Sequence, residues 1–84
     1  AHAETSKQQD KMIELTVDGA IYFEGEPVSK EGLAEQVRTL PPETAFLIRA
    51  DRAIQFQQFI DVTDVLKEFR FTRVAVQTQN ATRQ

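Results

Sequence analysis

A chain of 84 residues, 40% of them hydrophobic, can build one small core, and a domain of that size is only marginally stable on such a core alone. Its formal charge of −3 and pI near 5.0 give no basic field to hold a phosphate backbone, which sets nucleic acid aside as a partner. With no cysteine, disulfides and thiolate metal sites are excluded, and no run is apolar enough to span a bilayer or act as a signal peptide.

Residues 1–11 are polar, lack an apolar period and carry the sole histidine, His2, so a flexible linker is expected there. Residues 80–84 look the same and are expected to form a flexible tail, leaving 12–79 as the folded domain. From Met12, Ile13, Leu15 and Val17 alternate with Glu14 and Thr16, the pattern of a strand with one buried face. Asp18-Gly19 then separates it from Ala20-Ile21-Tyr22-Phe23, and this dipeptide predicts a hairpin closed by a type I′ turn with positive φ at both residues. Gly25-Glu26-Pro27 ends the second strand. Val28 and Ser29 supply a staple residue and a cap for a helix from Lys30 to Leu40, its inner face formed by Leu33, Val37 and Leu40. Pro41-Pro42 stops it.

The apolar run Ala45-Phe46-Leu47-Ile48 follows, then the charged step Arg49-Ala50-Asp51-Arg52, a long amphipathic segment from Phe56 to Phe69, and Thr72 to Thr78. A strand, a helix and a second β-branched run in that order imply two parallel strands joined by a right-handed crossover. Phe56, Phe59, Ile60, Thr63, Leu66 and Phe69 recur at helical spacing as the inner face, widened by Val62 and Val65, and the helix must stop near Arg70. The whole is an α+β fold, a two-layer β-β-α-β-α-β arrangement of a mixed sheet with two helices on one face. Phe46, Ile48 and Ala50 point to one side of the third strand, and Ala45, Leu47 and Arg49 to the other.

Catalytic equipment is missing. His2 lies in the lead, so no imidazole base can be assembled with a nucleophile, and no histidine-rich metal site can form. The carboxylates Glu14, Glu24, Glu26, Glu35, Asp61, Asp64 and Glu68 fall on wet faces, and Gly19, Gly25 and Gly32 serve turns rather than a phosphate loop. No enzyme activity and no cofactor is expected. The Arg49 to Arg52 step sits at the carboxyl end of a buried strand, where open α/β sheets place working residues. Asp51 could satisfy loop amides and pair with Arg49 or Arg52; alternatively, Arg49 on the uncovered side could dock an acidic group or peptide carbonyl of a partner. The last strand, with Val74 and Val76 toward the helices and Arg73, Ala75 and Gln77 outward, has the alternation of a sheet edge open to strand addition through Thr78.

The run Phe46 to Arg52, the aromatic Phe56, the helix Phe59-Ile60-Asp61-Val62-Thr63-Asp64-Val65-Leu66 and Val74-Ala75-Val76 together resemble the periplasmic domain of ExbD/TolR proteins. Leu15-Thr16-Val17-Asp18, Ile21-Tyr22-Phe23 and Glu26-Pro27-Val28-Ser29 fit the same pattern, and the Arg-Ala-Asp step is nearer the ExbD branch. One departure is that the family often has a glycine after the second helix, where this chain has Phe69-Arg70-Phe71. The resemblance implies a periplasmic domain carried by an inner-membrane protein. In that family a transmembrane helix outside this chain takes part in proton flow with an ExbB- or TolQ-like channel protein, and a TonB-like protein transmits the work to outer-membrane transport. It further implies a homodimer. Two alternatives stand beside it: a TolR-like component of a Tol-Pal system that contacts peptidoglycan, and a small ligand-binding regulatory α/β domain with its pocket under the Arg49 to Arg52 loop.

Overall fold

The computed structural model describes residues 10–79, which form seven elements: β1 (Lys11–Leu15), β2 (Ile21–Phe23), β3 (Glu26–Val28), α1 (Lys30–Val37), β4 (Ala45–Asp51), α2 (Phe56–Glu68) and β5 (Arg73–Gln79). The expected linker and tail lie outside the described residues except for Asp10 and Lys11, and Lys11 already belongs to β1. The five strands make one mixed sheet in the order β3-β2-β1-β4-β5. β4 and β5 are parallel neighbours joined through α2, as the strand, helix, strand pattern requires, and β1 pairs parallel to β4 on its other side. Among the described residues, no helix is long and apolar enough to cross a membrane.

Two turns depart from expectation, and both departures trace to where positive φ is needed. At the first hairpin, Gly19 N–H donates to Thr16 O (3.0 Å) and Thr16 N–H donates to Ala20 O (3.1 Å). Only Gly19 (φ +93°) is left-handed there; Asp18 is not. The loop is therefore a type I turn followed by a glycine bulge rather than a two-residue type I′ turn. The type I′ turn occurs one hairpin later, where Glu24 (φ +52°) and Gly25 (φ +87°) separate the paired residues Phe23 and Glu26. Glu26-Pro27-Val28 is thus a third short strand, not merely the end of the second. Pro27 is tolerated because β3 is an edge strand with no further neighbour, among the described residues, for a missing N–H to serve.

α1 begins as its cap requires, with Gly32 N–H donating to Ser29 Oγ at 2.9 Å. It ends at Val37, three residues before Leu40, which nevertheless still packs against the core. α2 ends by an αL turn. Arg70 (φ +68°) takes the left-handed position, Phe71 N–H donates to Leu66 O (3.0 Å), and Arg70 N–H donates to Lys67 O (2.9 Å). That is a Schellman termination with arginine where glycine is usual. It turns Phe71 back into the core, edge-on to Phe46 with ring centroids 4.8 Å apart.

The core lies between the helices and one sheet face. Ile13, Leu15, Phe46 and Ile48 from the strands meet Leu33 and Val37 of α1 and Val62, Val65 and Leu66 of α2, all nearly or wholly buried. Each such side chain contributes about 1.5–3 kcal/mol relative to exposure. Both helices therefore cover the same side, and a 3.9 Å ion pair between Lys30 and Asp61 links them. The stripe on α2 is centred on Val62, Val65 and Leu66, with Phe59 and Phe69 partly buried at its flanks. Phe56, expected on that inner face, is 74% exposed because it is the first helical residue and overhangs the sheet edge instead of the core.

Candidate functional site

Strand register divides the sequence-predicted site residues between two faces. Val74, Val76 and Thr78 pair with Phe46, Ile48 and Ala50 and so point toward the helix layer. Arg73, Ala75 and Gln77 pair with Ala45, Leu47 and Arg49 on the side without helices. β5 is an edge strand: its only partner among the described residues is β4, so its outer row of N–H and C=O groups is available for another chain.

On the helix side, β5 is only lightly covered. Val74 is half-buried and touches the core, but Val76 is 49% exposed and Thr78 is exposed. Ala50, Ile54, Phe56, Phe59, Val76 and Thr78, with the sequence-predicted Asp51 and Arg52 at one end, line an open, mainly apolar groove of about 270 Å³ running beside the strand. Ile54, Phe56 and Phe59 are the contributors that sequence reasoning did not place at a site. The signal was present in Phe56, an apolar residue at the very start of a helix, where the inner stripe has not yet reached the sheet.

The Arg49 to Arg52 step does not act as one cluster. Asp51 is buried, and its Oδ1 accepts from Ala53 N–H at 2.8 Å, while its carbonyl accepts from Ile54 N–H at 3.1 Å. It therefore shapes the exit from β4 into α2, the structural role that its position allowed. It does not cap α2, whose first residue follows Gln55 with no side-chain cap bond. Arg52 extends the ladder, its N–H donating to Gln79 O at 2.9 Å.

Arg49 stands on the uncovered face, half-buried. Its Nη2 donates to Gln79 Oε1 at 2.7 Å, its Nη1 lies 3.7 Å from Met12 Sδ, and its buried Nε has no partner. Glu14 on β1 and Gln77 on β5 flank it in register. Nε is too buried to meet another molecule, but each Nη carries a second N–H, so the guanidinium keeps donors beyond these two contacts. Arg49 and the apolar groove are on opposite faces, so a partner lying along β5 would reach both only by spanning the edge.

A second, more polar cleft of about 450 Å³ lies where the first hairpin meets the beginnings of both helices, lined by Val17, Asp18, Ile21, Lys30, Gln57 and Asp61 among others. Gln58 closes one wall by donating Nε2–H to Ala20 O at 3.1 Å. No group of three metal-ligating side chains gathers among the described residues. The geometry offers an edge, a groove and a surface cation, which are the parts of a binding surface.

The family model described as biopolymer transport protein ExbD/TolR matches residues 1–81. A biopolymer transport protein ExbD from Helicobacter pylori is 30% identical over 81 residues, covering 93% of this chain and 63% of the relative. One from Aquifex aeolicus is 34% identical over 67 residues, covering 80% of this chain and 51% of the relative. The chain therefore spans between half and two thirds of the length of these relatives. With nearly the whole chain matched, and with the sheet, the paired helices and the β4-α2-β5 unit in the order the motifs imply, this protein belongs to the ExbD/TolR family.

Proposed function

We propose that this chain is the periplasmic domain of an ExbD-like inner-membrane protein that couples proton motive force to TonB-dependent outer-membrane transport. It works without chemistry of its own, by holding other chains. Two copies associate through β5, and an extended segment of a TonB-like partner lies along the groove beside that strand. An ExbB- or TolQ-like channel protein would be engaged through a membrane helix that is not among these residues.

The observation that carries this reading is the pairing of a strand edge, unpartnered among the described residues, with an apolar groove on its helix side. Strand addition supplies main-chain hydrogen bonds for affinity, and alternate side chains of the added strand would fall over Val76, Phe56 and Phe59 for selectivity. Arg49, half-buried on the other face, offers its remaining guanidinium N–H groups to an acidic group or carbonyl.

Titrating the isotopically labelled chain with the periplasmic segment of a TonB-like protein tests the reading. Amide shifts are expected at Val74 to Thr78 and at Ile54, Phe56 and Phe59. Shifts confined to the chain ends, with Val74 to Thr78 and Arg49 untouched, would overturn it. Sedimentation should show concentration-dependent association; a strict monomer that traps a metabolite would favour the small-ligand alternative.

A further inference from the structure

The first hairpin holds a dipeptide with reactivity of its own. We propose that Asp18-Gly19 is a latent isomerisation site, and that Thr16 holds it closed in the folded domain. In the reaction, the Gly19 backbone nitrogen attacks Asp18 Cγ. A nitrogen-carbon bond forms, the carboxyl group loses one oxygen with two protons as water, and a five-membered succinimide results. Water then opens the ring at either carbonyl. Opening at the main-chain carbonyl leaves the backbone running through the former side chain, an isoaspartate, so the net change is rearrangement with no atom gained or lost. Glycine on the carboxyl side makes this possible because no Cβ hinders the approach of the nitrogen.

Four hydrogen bonds oppose it here. Gly19 N–H, the group that must become the nucleophile, donates to Thr16 O at 3.0 Å. Thr16 Oγ1–H donates to Asp18 Oδ1, orienting the carboxylate. Thr16 is itself pinned, because its N–H donates to Ala20 O at 3.1 Å and its Oγ1 accepts from Ala20 N–H at 3.2 Å. The hydrogen bond from Thr16 is also the main reason that the Asp18 carboxyl group is held below its ordinary range, so it stays ionised and a poor electrophile.

The consequence of isomerisation would be local and directional. One extra methylene in this tight loop displaces Gly19 from its bulge and moves Ala20, whose carbonyl is the acceptor that ties the hairpin to Gln58 of α2. The lip of the polar cleft would be released from the helix layer.

Incubating the 84-residue chain folded in buffer and unfolded in concentrated urea, followed by peptide mapping for isoaspartate, tests the proposal. The unfolded chain should isomerise at the rate of a free peptide, and the folded chain about tenfold or more slowly, the factor that hydrogen bonds to a charged group can supply. Thr16→Val, shown to be folded by circular dichroism, should accelerate isomerisation, while Thr16→Ser, which keeps the hydroxyl, should stay slow. Equal rates for folded and unfolded wild-type chain overturn the proposal whether or not the variants fold. So does a folded Thr16→Val no faster than wild type, or a Thr16→Ser as fast as Thr16→Val.

Discussion

Ile48 and Val76 are register partners on adjacent parallel strands and point to the same side of the sheet, yet Ile48 is completely buried and Val76 is 49% exposed. The helix layer ends between them. Covered strands hold the fold, and β5 beyond them presents apolar surface that the domain does not use for its own core.

This boundary predicts opposite results for similar substitutions. Ile48→Ala should cost about 2–5 kcal/mol of stability, because it leaves a cavity among Ile13, Phe46 and the helices. Val76→Ser should cost less than about 1 kcal/mol, as expected of a side chain still in water. Urea denaturation checks both, and under the proposed function Val76→Ser should weaken association while leaving the monomer folded.

Arg70 holds a left-handed backbone at the end of α2 with φ +68°. Arg70→Gly should therefore raise stability by about 1 kcal/mol, since the Schellman hydrogen bonds remain and the strain of a side chain is removed. Loss of stability in thermal or urea unfolding would show that the arginine side chain contributes more than its backbone costs.

Gly25 has nothing within 4 Å of where a Cβ would stand, but its φ is +87°. Gly25→Ala should destabilise by about 1 kcal/mol or more, from backbone conformation alone. Hydrogen exchange should show the loss concentrated in β2 and β3, the strands that this turn joins.

The unpartnered Nε of Arg49 predicts that Arg49→Met changes stability by less than about 1 kcal/mol, because removing a buried donor without an acceptor offsets the loss of the hydrogen bond to Gln79 Oε1. The same variant should bind a partner peptide more weakly if Arg49 docks its acidic group. Urea denaturation and a binding titration on one sample separate the two effects.

Much of the fold was legible because it follows from local periods. Alternation at Ile13 and Leu15, the apolar run at Phe46 to Ile48, and helical spacing from Phe59 to Leu66 each mark an element whose inner face must be buried. Ser29 announced its helix for an equally local reason, a hydroxyl placed to accept Gly32 N–H. The short strand β3 was less legible, since three residues carry little period and the Glu24-Gly25 turn lacks the Asn or Asp that usually signals it. Phe56 misled because spacing on a helix says which residues share a stripe but not where along the helix the sheet begins.

The chain's own residues determined the element types, the α+β class and the β4-α2-β5 order, because each follows from periods read over a few neighbouring positions. The edge position of β5 and the uncovered side of Arg49 also followed from alternation, whereas tertiary structure alone decided that Phe56 stands 74% exposed and that Val76 and Phe56 meet in an open groove. Those last two facts depend on how far the helix layer extends across the sheet, a packing quantity set jointly by residues remote in sequence.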